Sequence, residues 1–114
     1  MECRRKHLRC RVSVLGRVRD FNGEWLSARS EDLSEGGVRL CIDLPLLEGS
    51  PVDVELRLPC DGNGRGDETL FYSRGQVVWC TEDMDVGFQA GIRFSSAPAE
   101  TVGELRSFLS SVAA

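Results

Sequence analysis

Between residues 52 and 58 the chain alternates without a fault, with Val52, Val54, Leu56 and Leu58 separated by Asp53, Glu55 and Arg57. Successive side chains leave a β-strand on opposite faces, so a strict period of two suits a strand with one apolar face and does not suit a helix. Such a strand cannot stand alone. Its apolar face needs a core, and its backbone edges need partners.

Candidate partners recur along the chain. Val12, Val14, Gly16 and Val18 alternate with Ser13, Leu15, Arg17 and Arg19, which predicts a first strand over 9–19. Asp20-Phe21-Asn22-Gly23 supplies turn residues, and a second strand returns over 25–33. Val38, Leu40 and Ile42 mark a third, and Pro45 and Gly49 punctuate the loop before the strand at 52–58. A fifth is expected over 70–81 with Gly75 at a bulge or corner. A sixth over 86–94 places Phe88, Ala90, Ile92 and Phe94 on one face. Residues 59–68, with three glycines and three acids, read as a long, exposed, mobile hairpin loop.

Six short strands joined by turns favour a small closed barrel over an open sheet with bare edges. Beyond the last strand, Pro98 suits a first helical position, and Val102, Leu105, Phe108, Leu109 and Val112 share one helical face. Gly103 weakens that helix by about 1 kcal/mol relative to Ala, so it depends on packing against the barrel. With 114 residues, 41% of them hydrophobic, the chain fits one domain. The expected fold is mainly β, a six-stranded antiparallel β-barrel with a C-terminal α-helix.

Two further stretches carry chemistry. In Asp32-Leu33-Ser34-Glu35-Gly36-Gly37, Asp32 and Ser34 fall on one face of an extended chain and Leu33 on the other. The two glycines let the backbone turn or bulge and leave bare main chain for a flat ligand. A carboxylate, a hydroxyl and bare backbone suit a purine edge. Upstream lies Arg4-Arg5-Lys6-His7-Leu8-Arg9. The planar arginine fork can hold O6 and N7 of guanine, or two phosphate oxygens, while Asp32 accepts from guanine N–H donors. Pairing the first two strands brings Asp32 back beside this basic arm. Asp32 and Ser34 could also do no more than cap a turn by bonding its backbone. Trp79 is either a core or rim residue or a ring on which a base stacks, and stays outside the expected site.

Arg-x-x-x-Arg, from Arg5 to Arg9, followed by Asp-x-Ser-x-x-Gly, at Asp32, Ser34 and Gly37, resembles the PilZ domain, a bacterial receptor module for cyclic di-GMP. With 13 Arg in the chain, roughly one Arg-x-x-x-Arg arises by chance, against about 0.1 for the second motif, which therefore carries most of the resemblance. Gly75 to Trp79 and Ala90 to Phe94 also resemble that family's later strands, so the likeness covers nearly the whole chain. It implies a stand-alone, non-enzymatic cytoplasmic receptor with no cofactor, acting in motility or biofilm control. Arg4, Arg5, Arg9, Asp32, Ser34 and Gly37 are the implied ligand-binding residues. Arg4 would add a phosphate or second-guanine contact. Residues 1–9 would form a flexible arm that orders over the ligand, and 10–114 the barrel with its helix. With no effector domain attached, the signal would pass to an effector protein in trans, from a monomer or weak dimer.

Other functions fit less well. Residues 1–19 carry seven Lys/Arg against Glu2, a net of +6, whereas residues 20–114 carry a net of −10. An acidic body argues against a broad nucleic-acid or anionic-membrane surface. No apolar run spans a bilayer, and the arginine-rich start lacks the apolar region of a secretory signal. Five scattered cysteines without Cys-x-x-Cys encode neither a disulfide framework nor a zinc site. There is no phosphate loop ending in Gly-Lys-Ser/Thr, no histidine-rich metal set, and no base near Ser34 except a distant His7. The alternative is a ligand-independent PilZ-like adaptor that contacts a motility or pilus-assembly protein. An RNA-binding barrel would need basic and aromatic residues across a strand face whose outer positions here are acidic.

Overall fold

Alternation is realised as seven strands. A computed structural model describes residues 9–59, 68–85 and 87–113. It comprises β1 (Arg9–Cys10), β2 (Leu15–Arg19), β3 (Trp25–Ser34), β4 (Gly37–Ile42), β5 (Pro51–Pro59), β6 (Glu68–Asp83), β7 (Gly87–Ser96) and α1 (Ala99–Ala113). All pairings are antiparallel in the order β1-β3-β2-β5-β6-β7-β4, and β4 returns to β3 to close the barrel. β1 and β2 lie end to end along one edge of β3, Cys10 opposite Leu33 and Leu15 opposite Arg29, so the closed barrel has six staves. The basic arm, Arg9 excepted, and the loop expected at 59–68, apart from its two end residues, lie outside the described residues.

The expected first strand is broken over residues 11–14, and the buried Ser30 accounts for the break. Its Oγ accepts from Val14 N at 2.9 Å and donates to Val12 O at 2.6 Å. Beside one remaining backbone bond, Ser30 N to Val14 O at 2.9 Å, a side chain thus takes the place of the ladder, and the apolar alternation runs on undisturbed. At the first hairpin, Asp20 Oδ1 accepts from the backbone N–H of Asn22 and Glu24, each at 2.9 Å, and Gly23 adopts φ of +88°.

The inward sets meet in one core that includes Val18, Leu33, Leu40, Val54, Leu56, Phe71, Val77, Ala90 and Ile92. From α1, Leu105, Phe108 and Leu109 join that core, and Leu109 O accepts a long 3.8 Å bond from Cys10 Sγ. The helix therefore closes the end of the barrel where β1 enters. Val112 is exposed, so the apolar face of α1 ends one turn earlier than its sequence suggests. Outside the barrel, β5 is more than a solvent face. Arg19 pairs with Asp53 at 2.7 Å and Arg17 with Glu55 at 2.9 Å, and both guanidinium groups lie over the Trp25 ring, 4.0 and 4.9 Å from its centroid for Arg17 and Arg19. Two of the seven cations of residues 1–19 are thus engaged in the barrel wall.

Candidate functional site

A cleft of about 420 Å³ opens where β3, β4, β6 and β7 adjoin, lined by Asp32, Ser34, Gly36, Gly37, Arg39, Trp79, Gly91 and Arg93 among others. Three of the expected site residues, Asp32, Ser34 and Gly37, meet there. The backbone of Arg9 pairs opposite Ser34, so β1 begins beside the motif. Arg4 and Arg5 lie outside the described residues. A larger groove of about 790 Å³, along β2, β5 and β6, contains none of the motif residues.

Two β-bulges shape the cleft. In β3 the register shifts between Ser30 and Asp32, so Asp32 sits opposite Arg39 and Ser34 opposite Gly37, with buried Leu33 between them. Asp32 and Ser34 therefore share the outer face, as their spacing predicts. In β6 the register shifts between Val77 and Trp79. Counting by two from buried Val77 would send Trp79 inward. The extra residue, Val78, instead sets Trp79 opposite Gly91, which lies next to inward Ile92 on β7 and so faces outward. Trp79 reaches the cleft for that reason, and the bulge is the signal that reading by alternation misses.

Two glycines are fixed by close approach. A Cβ on Gly37 would collide with the carbonyl oxygen of Ile92, and one on Gly91 would meet Trp79, with Cε2 at 2.6 Å. Gly36 and Gly37 are not needed for φ, since the positive-φ glycines are Gly23, Gly49 and Gly87. The expectation that both glycines serve the turn gives way to a packing role for Gly37. Ser34 Oγ accepts from Gly36 N at 3.1 Å and donates to Gly37 O at 3.4 Å, so its hydroxyl shapes the Glu35-Gly36 turn. Glu35 itself is held by α1, its Oε1 accepting from Arg106 Nε at 3.0 Å.

Two cations outside the motifs enter from β4 and β7. Arg39 pairs loosely with Glu31 at 3.8 Å, and its buried Nε has no hydrogen-bond partner among the described residues. Arg93 donates to Gln76 Oε1 at 2.8 Å. The cleft thus combines a carboxylate, a hydroxyl, an indole and two guanidinium groups, a set that can bind a flat anionic heterocycle by edge, face and charge. Among the described residues no His, Lys or Cys lines it. Burial foremost, and then a hydrogen bond with Glu31, push the nearby Cys41 thiol up to about 11, far from a reactive thiolate. Among the described residues no group of three or more metal-binding side chains gathers, and no helix is long and apolar enough to cross a membrane.

The sequence pattern that defines the PilZ domain matches residues 4–111. The chain belongs to the PilZ domain family. Three solved structures have the same fold. The Bacillus subtilis inhibitor of motility, MotI/DgrA, aligns with a TM-score of 0.75 at 17% identity over 96% of this chain, which spans 49% of that protein. The PilZ domain of CeSA from a cellulose-synthesizing bacterium aligns at 0.62 with 15% identity, covering 94% of this chain and 99% of that one. The PilZ domain of YcgR from Escherichia coli, solved with c-di-GMP, aligns at 0.66 with 18% identity, covering 97% and 93%. No curated protein sequence matches this PilZ domain.

Proposed function

We propose that this PilZ domain is a non-enzymatic receptor for cyclic di-GMP. The reading is supported above all by the convergence of Asp32, Ser34 and Gly37 with Trp79 on one cleft, beside β1, whose first residue, Arg9, is the last of the Arg-x-x-x-Arg motif. Asp32 accepts from guanine N–H donors and Ser34 bonds the base edge. Trp79 offers a face for stacking, and Arg4, Arg5 and Arg9 grip guanine O6/N7 and phosphate oxygens. Arg39 and Arg93 add positive charge toward the phosphates. Ordering of the arm over the nucleotide alters the adjoining surface, which an effector protein reads. YcgR, which shares the fold, was solved with this ligand.

The adaptor reading rests on Ser34, whose hydroxyl already satisfies its own turn and needs no ligand. Calorimetric titration with cyclic di-GMP, beside GTP and cyclic GMP, separates the two. The receptor binds the dinucleotide alone, at micromolar or tighter affinity, with one or two molecules per chain. Arg5→Ala or Asp32→Ala then costs about 1–3 kcal/mol each. Absence of heat and of any thermal shift at saturating nucleotide leaves the adaptor reading standing.

A further inference from the structure

The end of the barrel opposite α1 exposes apolar side chains. Leu44 and Leu47, in the loop between β4 and β5, are 55% and 63% exposed, and Met84, at the turn between β6 and β7, is 99% exposed. The two loops adjoin. Ile42, the last residue of β4, pairs with Phe88, which pairs with Glu82 just before that turn, and a Cβ on Gly87 would stand 3.4 Å from Asp43 Cα.

Nor is the β4–β5 loop a slack connection. Leu46 is buried between the two exposed leucines, and its N–H donates to Cys80 Sγ at 3.4 Å. Gly49 N donates to Val77 O at 2.7 Å, and Val77 N to Ser50 O at 3.0 Å. Leu44 and Leu47 are thus held outward by a loop whose middle residue is anchored in the core.

The rim is predominantly acidic. Asp43, Glu48, Glu82, Asp83 and Asp85 lie in or beside the two loops, and neither residues 40–56 nor residues 75–92 contain a Lys, Arg or His. Arg29 of β3, which lines a groove with Asp43, is one cation beside them, so acids prevail. Nucleic acid and anionic membrane are repelled by such a rim. A second copy docking through the same face would bring the two sets of carboxylates together. A neutral apolar partner would desolvate those carboxylates without pairing them. The occupant that satisfies both features is a cationic segment with an apolar stripe, its stripe on Leu44, Leu47 and the adaptable Met84 and its Lys/Arg on the rim.

We infer that this end of the barrel is a docking surface for a cationic amphipathic segment of a partner protein. The surface adjoins the cleft through β6. Val77 and Cys80, which hold the docking loop, bracket Val78 and Trp79, which line the cleft. A nucleotide that rests on Trp79 therefore acts on the strand that positions Leu44 and Leu47. This coupling rests on the receptor reading, and the docking surface does not.

The full chain is titrated, with no nucleotide, against three synthetic peptides: a Leu/Lys amphipathic helix, its scramble, and a Leu/Glu analogue with the leucines kept. The cationic amphipath is expected to bind at least tenfold tighter than either control. Leu44→Ser/Leu47→Ser and Glu82→Lys/Asp85→Lys, each checked for an unchanged melt, are expected to weaken it at least tenfold. Equal binding of the scramble, or no change in either variant, overturns the proposal, as does sedimentation that shows a Leu44-dependent dimer. The titration is repeated with cyclic di-GMP, whose own binding is measured in parallel. Bound nucleotide with unchanged peptide affinity overturns the coupling. Absence of nucleotide binding overturns the receptor reading and the coupling, and leaves peptide docking to be judged on its own titration.

Discussion

Arg106 on α1 and Glu35 on the motif hairpin, 71 residues apart in sequence, are joined by a 3.0 Å bond from Nε to Oε1. Glu35 stands between Ser34 and Gly36, so its carboxylate adds negative charge beside a cleft suited to an anion. Arg106 offsets that charge, and because Arg106 is 65% exposed the pair adds little to folding, about 0–1 kcal/mol. Arg106→Ala is expected to leave the melting temperature nearly unchanged and to weaken cyclic di-GMP binding several-fold, most at low salt. Adding Glu35→Gln restores the affinity. Calorimetry and thermal melts on the four proteins of this cycle check both outcomes.

A methyl group at position 91 would stand where the Trp79 indole lies. Gly91→Ala must move the ring, so it is expected to reduce nucleotide affinity by an amount comparable with Trp79→Ala, about 1–3 kcal/mol for one stacked base. Trp25→Phe leaves Trp79 as the only tryptophan. In that background, titration with nucleotide should quench the emission, and in Gly91→Ala the change should shrink.

Gly103 lies in α1 with open space around the position of a Cβ, whereas Gly23 has open space but a φ of +88°. The two should respond with opposite sign to the same substitution. Gly103→Ala stabilises by about 0.5–1 kcal/mol, since alanine is the better helix former and the site is free. Gly23→Ala destabilises by roughly 1 kcal/mol, because a Cβ is disfavoured in the left-handed region. Urea denaturation of both variants measures the pair.

Asp53 is partly buried, which pushes its carboxyl up, but hydrogen bonds from Arg19 and Tyr72 outweigh the burial and hold it below its usual value. A carboxylate with a depressed folded pKa contributes stability that is fully present above the unfolded value near 4 and fades as pH falls through the folded one. The stability difference between the wild type and Asp53→Asn is therefore expected to be constant from pH 5 to 7. It should shrink below about pH 4. Denaturation curves across pH 2–7 test this, and a difference that grows on acidification would contradict it.

Most strands were legible because their apolar residues recur every second position and turn residues separate them. The breaks were less visible. Residues 11–14 continue the alternation although the buried Ser30 hydroxyl satisfies Val12 O and Val14 N, and only Val14 O bonds the backbone of β3, at Ser30 N. Asp32 and Ser34 were found from spacing because the β3 bulge precedes both and leaves their relative parity intact. Trp79 stays outside the expected site because a strand-end tryptophan reads equally as a core or rim residue, and the β6 bulge that turns it outward, between Val77 and Trp79, is not visible in alternation. Arg39 and Arg93 belong to no motif; Arg39 faces Asp32 across the local β3–β4 hairpin, whereas only the closing of the barrel brings Arg93 there. Pairings of this kind between distant segments leave no local trace in the sequence.

That closing has a kinetic consequence. The cleft draws on β4 and β7, whose partners Gly37 and Arg93 come together late in any ordering that forms local hairpins first, since a long loop must be closed before their contacts are gained. The β3–β4 hairpin can present Asp32 and Ser34 early, but Trp79 and Gly91 reach them only when the last seam is sewn. A nucleotide that needs the whole cleft cannot serve as a template for the half-made barrel. It would slow unfolding far more than it would speed folding.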